Sequence, residues 1–393
     1  MRDEMRAYLD APVERSGTHC EKWDELERHF GRNDLIAMWV ADMDFRTAPQ
    51  IVDAIVTRAR HGIYGYTDNG QEDRRAEAEW LQRRHGLAIE PDWILFSPGV
   101  VDSIFLCVNA LTGPEDSVLI QTPVYGPFHW AAQLYKRKLV FNPLLETPEG
   151  WRMDFGDLEA KFARGVRLMI LCSPHNPVGR VWREDELARL VALARRYGVI
   201  IVSDEIHADF VFDGLRQTRI LSVEGAAECS VLLTSATKSF NLAGLRQSSM
   251  IVASEKLRGQ LAQALKLAHA DSPNLFGAIA QTAAYRHGDE WMDAVVEYVR
   301  ENRDYAAAYI AANIPQIGCR PPEGTYLLWL DFRRLGMTQE ALVDLLVNHA
   351  HVALNDGLFF GESGRGWFRM NLATRRQNVV DTLDNIRDAI RSR

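Results

Sequence analysis

Between Trp93 and Lys238 the chain alternates short apolar runs with longer stretches that carry apolar residues at helical spacing. ILFSPGV leads into VDSIFLCVNAL, SVLIQTPVYG into FHWAAQLY, and RLMILCSPHNP into REDELARLVALARRYG, after which come VIIVSDEIH and SVLLTSATK. The runs are apolar on successive residues rather than alternate ones, as strands buried on both faces require. Strands alternating with helices predict βαβ units and a largely parallel sheet. The stretch 183–198 shows the helical pattern well. Leu187, Leu190, Val191, Ala194 and Tyr197 share one face, Glu184 and Asp185 stand in the first turn, and Gly198 follows as a stop.

Outside that core the pattern changes. Residues 1 to about 45 read as polar and irregular until MWVADMDF, an apolar patch interrupted by Asp42 and Asp44 that suits a segment packed against another part of the protein. APQIVDAIVTRARHG then has Ile51, Ile55 and Val56 on one helical face, and Gly62, Gly65 and Gly70 break it into an aromatic-bearing loop. After SMIVAS the chain reads as helical to about Asn313. GTYLLWLDF, a helix from Thr338, VALNDG, GWFRMNLA and a final helix from Arg375 complete a second α/β module. The expected organisation is an N-terminal segment (1–45) packed on the small module and the active site, a large domain (46–287), and a small C-terminal domain (288–393).

With 393 residues, 47% of them hydrophobic and 25% charged, the composition is that of an ordinary globular protein. A net charge of -8, with Lys and Arg spread along the chain, argues against nucleic acid or an anionic membrane as partner. The N-terminus, MRDEMRAYLDAPVERSG, has no apolar stretch of a signal or transit peptide, which predicts a cytoplasmic protein. Five cysteines form no CxxC pair, so no metal is expected. Cys107, Cys172 and Cys229 lie in or beside apolar runs and read as buried free thiols.

In an open parallel sheet, ligands collect outside the carboxyl ends of the strands. The residues leaving each apolar run are Ser97-Pro98-Gly99-Val100-Val101, Thr122-Pro123-Val124-Tyr125, Ser173-Pro174-His175-Asn176-Pro177, Asp204-Glu205-Ile206-His207 and Ser235-Ala236-Thr237-Lys238. Amides at a helix start suit a phosphate, Tyr125 can stack on a ring, Asp204 can keep a ring nitrogen protonated, and Lys238, at a buried strand end, can form an imine. Together they could bind a phosphorylated aromatic aldehyde. Singly, each has a structural alternative: Asp204 as a helix cap, Asn176 as a turn residue, Tyr125 as a core aromatic, Arg369 as a surface cation on an edge strand.

SPHNPVGR, SDEIH and SATKSFNLAGL, in this order and at these separations, resemble the fold-type I pyridoxal-phosphate enzymes of the class I/II aminotransferase superfamily. Within it, MWVADMDF, KWD at 22–24, TPVYGPF and DEIHAD resemble the cystathionine β-lyase (C–S lyase) branch. The resemblance implies an aspartate aminotransferase-like α/β fold with pyridoxal 5'-phosphate as cofactor. It makes Lys238 the imine-forming lysine, Asp204 the partner of the ring nitrogen, Asn176 the partner of the phenolic oxygen and Tyr125 the stacking ring. Val100, Val101 and Ser235 would hold the phosphate, and Arg246 matches the phosphate-binding arginine of ordinary aminotransferases. Tyr64 would reach the phosphate of a second subunit, implying a homodimer. Arg369 would clamp the α-carboxylate of a small amino-acid substrate, with Val40 and Ala41 closing over it. His207 either approaches the phenolic oxygen or is a packed structural imidazole. His19-Cys20, where smaller polar residues are expected, and Arg246 depart from the lyase pattern.

The implied activity is α,β-elimination on L-cystathionine or another L-cysteine S-conjugate, giving a thiol, pyruvate and ammonia. An aminotransferase uses the same residues and is the first alternative. A regulator-binding protein with vestigial catalysis is the second.

Overall fold

The computed structural model describes residues 3–392. Seven strands form the central sheet: β1 (Ile94–Ser97), β2 (Ser117–Ile120), β3 (Lys138–Phe141), β4 (Val166–Cys172), β5 (Ile200–Asp204), β6 (Ser230–Thr234) and β7 (Ser248–Ile251). Their order across the sheet is β1-β7-β6-β5-β4-β2-β3. Only β7 runs against its neighbours, pairing antiparallel with both β1 and β6. The ends of β4, β5 and β6 therefore open side by side, because Cys172 registers with Asp204 and Asp204 with Leu233.

The period-two geometry of the strands divides the core into two layers. On one face Leu168, Ile170, Val202, Val231 and Leu233 pack with Ile104, Cys107 and Val108 of helix 100–111 and with Leu257, Leu261 and Leu265 of helix 255–267. On the other, Met169, Leu171, Ile201 and Leu232 meet Leu187, Leu190 and Val191 of helix 184–197. Burial on both sides is what makes these strands read as unbroken apolar runs.

A second sheet is antiparallel throughout, in the order Gly318–Cys319, Leu327–Asp331, Trp367–Asn371, Asn355–Asp356. Its apolar face and the helices 275–287, 289–313 and 376–391 share one core with Met38, Met43 and Phe45. The N-terminal segment is tied to this region by Ile36–Ala37, which pairs parallel with Val352–Ala353.

Three expectations are corrected. The first 45 residues are not irregular: Asp3–Asp10, Glu21–Asp24 and Leu26–Phe30 are helical. Each buries only one residue fully (Leu9, Lys22 and Leu26), too few to leave a periodic signal. Strand β3 and the hairpin 145–152 were not anticipated either: β3 is an edge strand whose Leu139, Val140 and Phe141 are not fully buried, and the hairpin has no apolar run. Cys107 and Cys172 are buried free thiols, but Cys229 is only half-buried. Among the described residues, no helix is long and apolar enough to cross a membrane.

Candidate active site

Lys238 follows β6 on a single helical turn, Ala236–Ser239. Ser235 caps that turn, accepting from the Thr237 amide at 3.0 Å and donating to the Gln247 carbonyl at 2.6 Å. The turn delivers the Lys238 amine to the junction of two cavities. The inner one, about 180 Å³, is lined by Gly99, Val100, Val101, Tyr125, Cys172, Asn176, Asp204, Ile206, His207, Thr237 and Arg246, among others. Lys238, Tyr125, Ala41 and Ala243 line it together with the outer cavity, which holds about 610 Å³.

Charge in the inner cavity is desolvated and sparsely compensated. Burial lowers the pKa of Lys238 to about 8, and its Nζ donates to the Ala41 carbonyl at 2.6 Å. Burial likewise raises Asp204 to about 7; its carboxylate accepts from the Ile206 amide at 3.2 Å. His207 is buried, its Nδ1 has no partner, and burial carries its pKa well below the ordinary imidazole value.

Arg369 enters from the small sheet, 3% exposed, and burial lowers it to about 10. Nη2 donates to the Trp39 carbonyl at 2.9 Å and Nη1 to Asn176 Oδ1 at 3.1 Å, while Nε has no partner. Because Asn176 accepts through Oδ1, its Nδ2 remains to donate to a bound oxygen. The wall opposite is the N-terminal segment. Asn371 Nδ2 donates to the carbonyls of Val40 at 2.8 Å and Asp42 at 2.5 Å, and the Tyr326 hydroxyl donates to Ala41 O at 2.9 Å.

The segment itself is held by ions. Lys22, fully buried, lies 2.7 Å from Asp44, and Arg15 lies 2.8 Å from Asp44 and 2.6 Å from Asp42. Burial alone would raise the pKa of Asp44; Lys22 and Arg15 override it and hold the group below the ordinary carboxylate value.

Most of the expected site residues thus come together. Lys238, Asp204, Asn176, Tyr125, His207, Val100, Val101 and Arg246 line the inner cavity, and Arg369, Val40 and Ala41 the outer one. His207 also packs edge-on against Tyr326, with ring centroids 5.4 Å apart. Ser235 departs from expectation: its hydroxyl is committed to the cap and to Gln247, and Thr237 lines the cavity instead. Arg246 is spread over the surface and paired to Asp102 at 2.9 Å. Tyr64 is exposed, lines neither cavity of its own chain, and donates to Ala59 O at 2.6 Å. Cys172, Ile206, Thr237 and Asp102 were not anticipated as lining residues.

These features fit pyridoxal phosphate. A buried carboxylate with no cation in ion-pair contact suits a protonated ring nitrogen, a largely desolvated amine suits an aldehyde, and the first amides of helix 100–111 suit a phosphate.

Comparison with known proteins agrees. The family model "Aminotransferase class I and II" matches residues 33–386. Cystathionine beta-lyase PatB of Bacillus subtilis (strain 168) is 37% identical, over 97% of this chain and 99% of that protein. Protein MalY of Escherichia coli (strain K12) is 35% identical, over 97% and 98%. The crystal structure of cystalysin from Treponema denticola, which contains a pyridoxal 5'-phosphate cofactor, superposes with a TM-score of 0.94 at 30% identity, covering 98% of both chains. The chain therefore belongs to the class I and II aminotransferase family and, within it, to the pyridoxal-phosphate-dependent carbon–sulfur lyases.

Proposed function

We propose that the protein cleaves L-cystathionine or a related L-cysteine S-conjugate by α,β-elimination, releasing a thiol, pyruvate and ammonia. The observation that carries this is the position of Lys238 where a smaller inner cavity meets an outer one more than three times as large, about 180 and 610 Å³. The outer volume suits a long substituent on sulfur. The name of the Bacillus relative, cystathionine beta-lyase, supports the same substrate class.

Bound pyridoxal phosphate supplies an aldehyde that captures the substrate amine and a ring that spreads negative charge from the adjacent carbon. The chain does the rest. Arg369, held by Trp39 O and Asn176, binds the α-carboxylate and fixes the amino acid's orientation. Asp204 keeps the ring nitrogen protonated. Lys238, with a pKa near 8, takes the α-proton on Nζ, and the thiolate departs from the β-carbon. Val100, Val101 and Thr237 bind phosphate. The exposed Ile63, Tyr64 and Tyr66 of the 62–67 loop suit burial against a second copy, in a homodimer with shared sites.

A second reading, amino transfer, draws on Arg246, which lines the inner cavity beside Val100 and Val101 and matches the aminotransferase arginine. Cofactor-loaded protein mixed with L-cystathionine and no keto acid separates the two. Elimination gives repeated, equal release of thiol and pyruvate, lost in Lys238→Ala. Amino transfer gives one conversion of the cofactor band and then waits for a keto acid.

A further inference from the structure

We propose that Glu21 is a specificity-determining residue that selects S-conjugates carrying an ammonium group at the far end of the sulfur substituent, an inference that rests on the lyase reading above. Glu21 opens the short helix Glu21–Asp24 and lines the outer cavity with Arg15, His19, Cys20, Asp42 and Asn355. Among the described residues, no hydrogen bond or ion pair engages its carboxylate. Its charge nevertheless reaches into the site, since it acts on both the Lys238 amine and the Tyr125 hydroxyl.

The neighbours in sequence explain why Glu21 stays there. Lys22 turns inward to Asp44 at 2.7 Å, and Trp23 Nε1 donates to the same carboxylate at 3.1 Å. Asp24 accepts from the Gly17 amide at 2.7 Å and the Cys20 amide at 2.8 Å, closing the loop that precedes the helix. The Lys22 carbonyl accepts from Trp39 Nε1 at 3.0 Å. Every residue of KWD is an anchor, and Glu21 is the member of the helix left facing the cavity.

The other charges of the outer cavity are spent. Arg15 is bound to Asp42 and Asp44, at 2.6 and 2.8 Å. Asp42 is ion-paired to that arginine, its remaining field falling on the Lys238 amine, and Arg369 is reserved for the α-carboxylate. A distal ammonium therefore finds an uncommitted carboxylate, whereas a distal carboxylate finds no uncommitted arginine or lysine. Because Glu21 is solvent-exposed, the preference is modest, about fivefold.

The test uses holoenzyme and three conjugates that yield the same pyruvate: S-(2-aminoethyl)-, S-propyl- and S-(2-carboxyethyl)-L-cysteine. In the wild type, kcat/KM is expected to fall in that order, with about fivefold between the first two. In Glu21→Gln the aminoethyl-to-propyl ratio falls to about one, and in Glu21→Lys the carboxyethyl conjugate overtakes the aminoethyl one. The ratio within each variant is immune to a general loss of activity. An aminoethyl-to-propyl ratio near one in the wild type, or one that survives Glu21→Gln, overturns the proposal. Should none of the three release pyruvate, the lyase reading fails separately. The same ratios, read as Kd from the change in cofactor absorbance, then decide the role of Glu21 alone.

Discussion

The two cavities that meet at Lys238 handle charge in opposite ways. In the inner one, burial dominates: Lys238 and Asp204 are both drawn toward neutrality, to about 8 and about 7. In the outer wall, ion pairs dominate: Asp44 is held below the ordinary carboxylate value although it too is buried. An isolated buried charge costs folding energy that only a ligand can return, whereas a paired one fastens the architecture. The inner cavity is therefore built for something it must bind, and the outer wall is built to stay where it is.

Asp44→Asn attacks the outer wall where it is strongest. It leaves buried Lys22 only the longer 3.8 Å contact to Asp42, a carboxylate it must share with Arg15, so a loss of about 3–5 kcal/mol is expected in denaturant unfolding. A loss below about 1 kcal/mol would erase the contrast. Asp204→Asn should do the opposite to the apoprotein. With the folded pKa raised from 3.8 to about 7, the folded state binds more protons than the unfolded one between those values, so stability falls as pH rises through that window. Removing the carboxylate should then stabilise apoprotein by up to about 4 kcal/mol above pH 7 while leaving stability near pH 4 unchanged. The same variant should lose most of its lyase activity.

Arg369→Lys probes the seam between the regions. A lysine cannot give parallel N–H bonds to a carboxylate and also reach Trp39 O and Asn176, so kcat/KM should drop about 100-fold with little change in cofactor binding. The smallest effect is a matter of pH. At pH 7 about a tenth of Lys238 is the free amine, against below a thousandth for an ordinary lysine. Capture of pyridoxal phosphate by apoprotein should accelerate with pH and level off above about 8; a rate still climbing at pH 10 would mean that the amine is solvated.

Legibility in the sequence follows the same division. Asp204, Lys238, Asn176 and Tyr125 could be read because each stands at the exit of an apolar strand, where a doubly covered sheet exposes its ends. Arg369 was recoverable only through resemblance, since strand Trp367–Asn371 has no pattern to mark one arginine as buried. Ser235 caps the turn and Thr237 lines the cavity, a distinction that composition does not make between two hydroxyls placed just after a strand. The Lys22–Asp44–Arg15 cluster left KWD visible but unexplained. Its partners lie 22 and 29 residues apart on a segment with no repeating period.

The hydrogen bond from Arg369 to the Trp39 carbonyl spans 330 positions of the chain, and that from Asn371 to Asp42 spans 329. During synthesis the N-terminal wall leaves the ribosome long before its clamp. The large sheet, complete by Ile251, can form while the rest of the chain is still being made. A nascent or truncated chain that stops before Arg369 can present Lys238 and Asp204, but it lacks the guanidinium proposed to grip an amino acid. Joining these two distant segments is thus a late step, completed after the large sheet that carries Lys238 and Asp204.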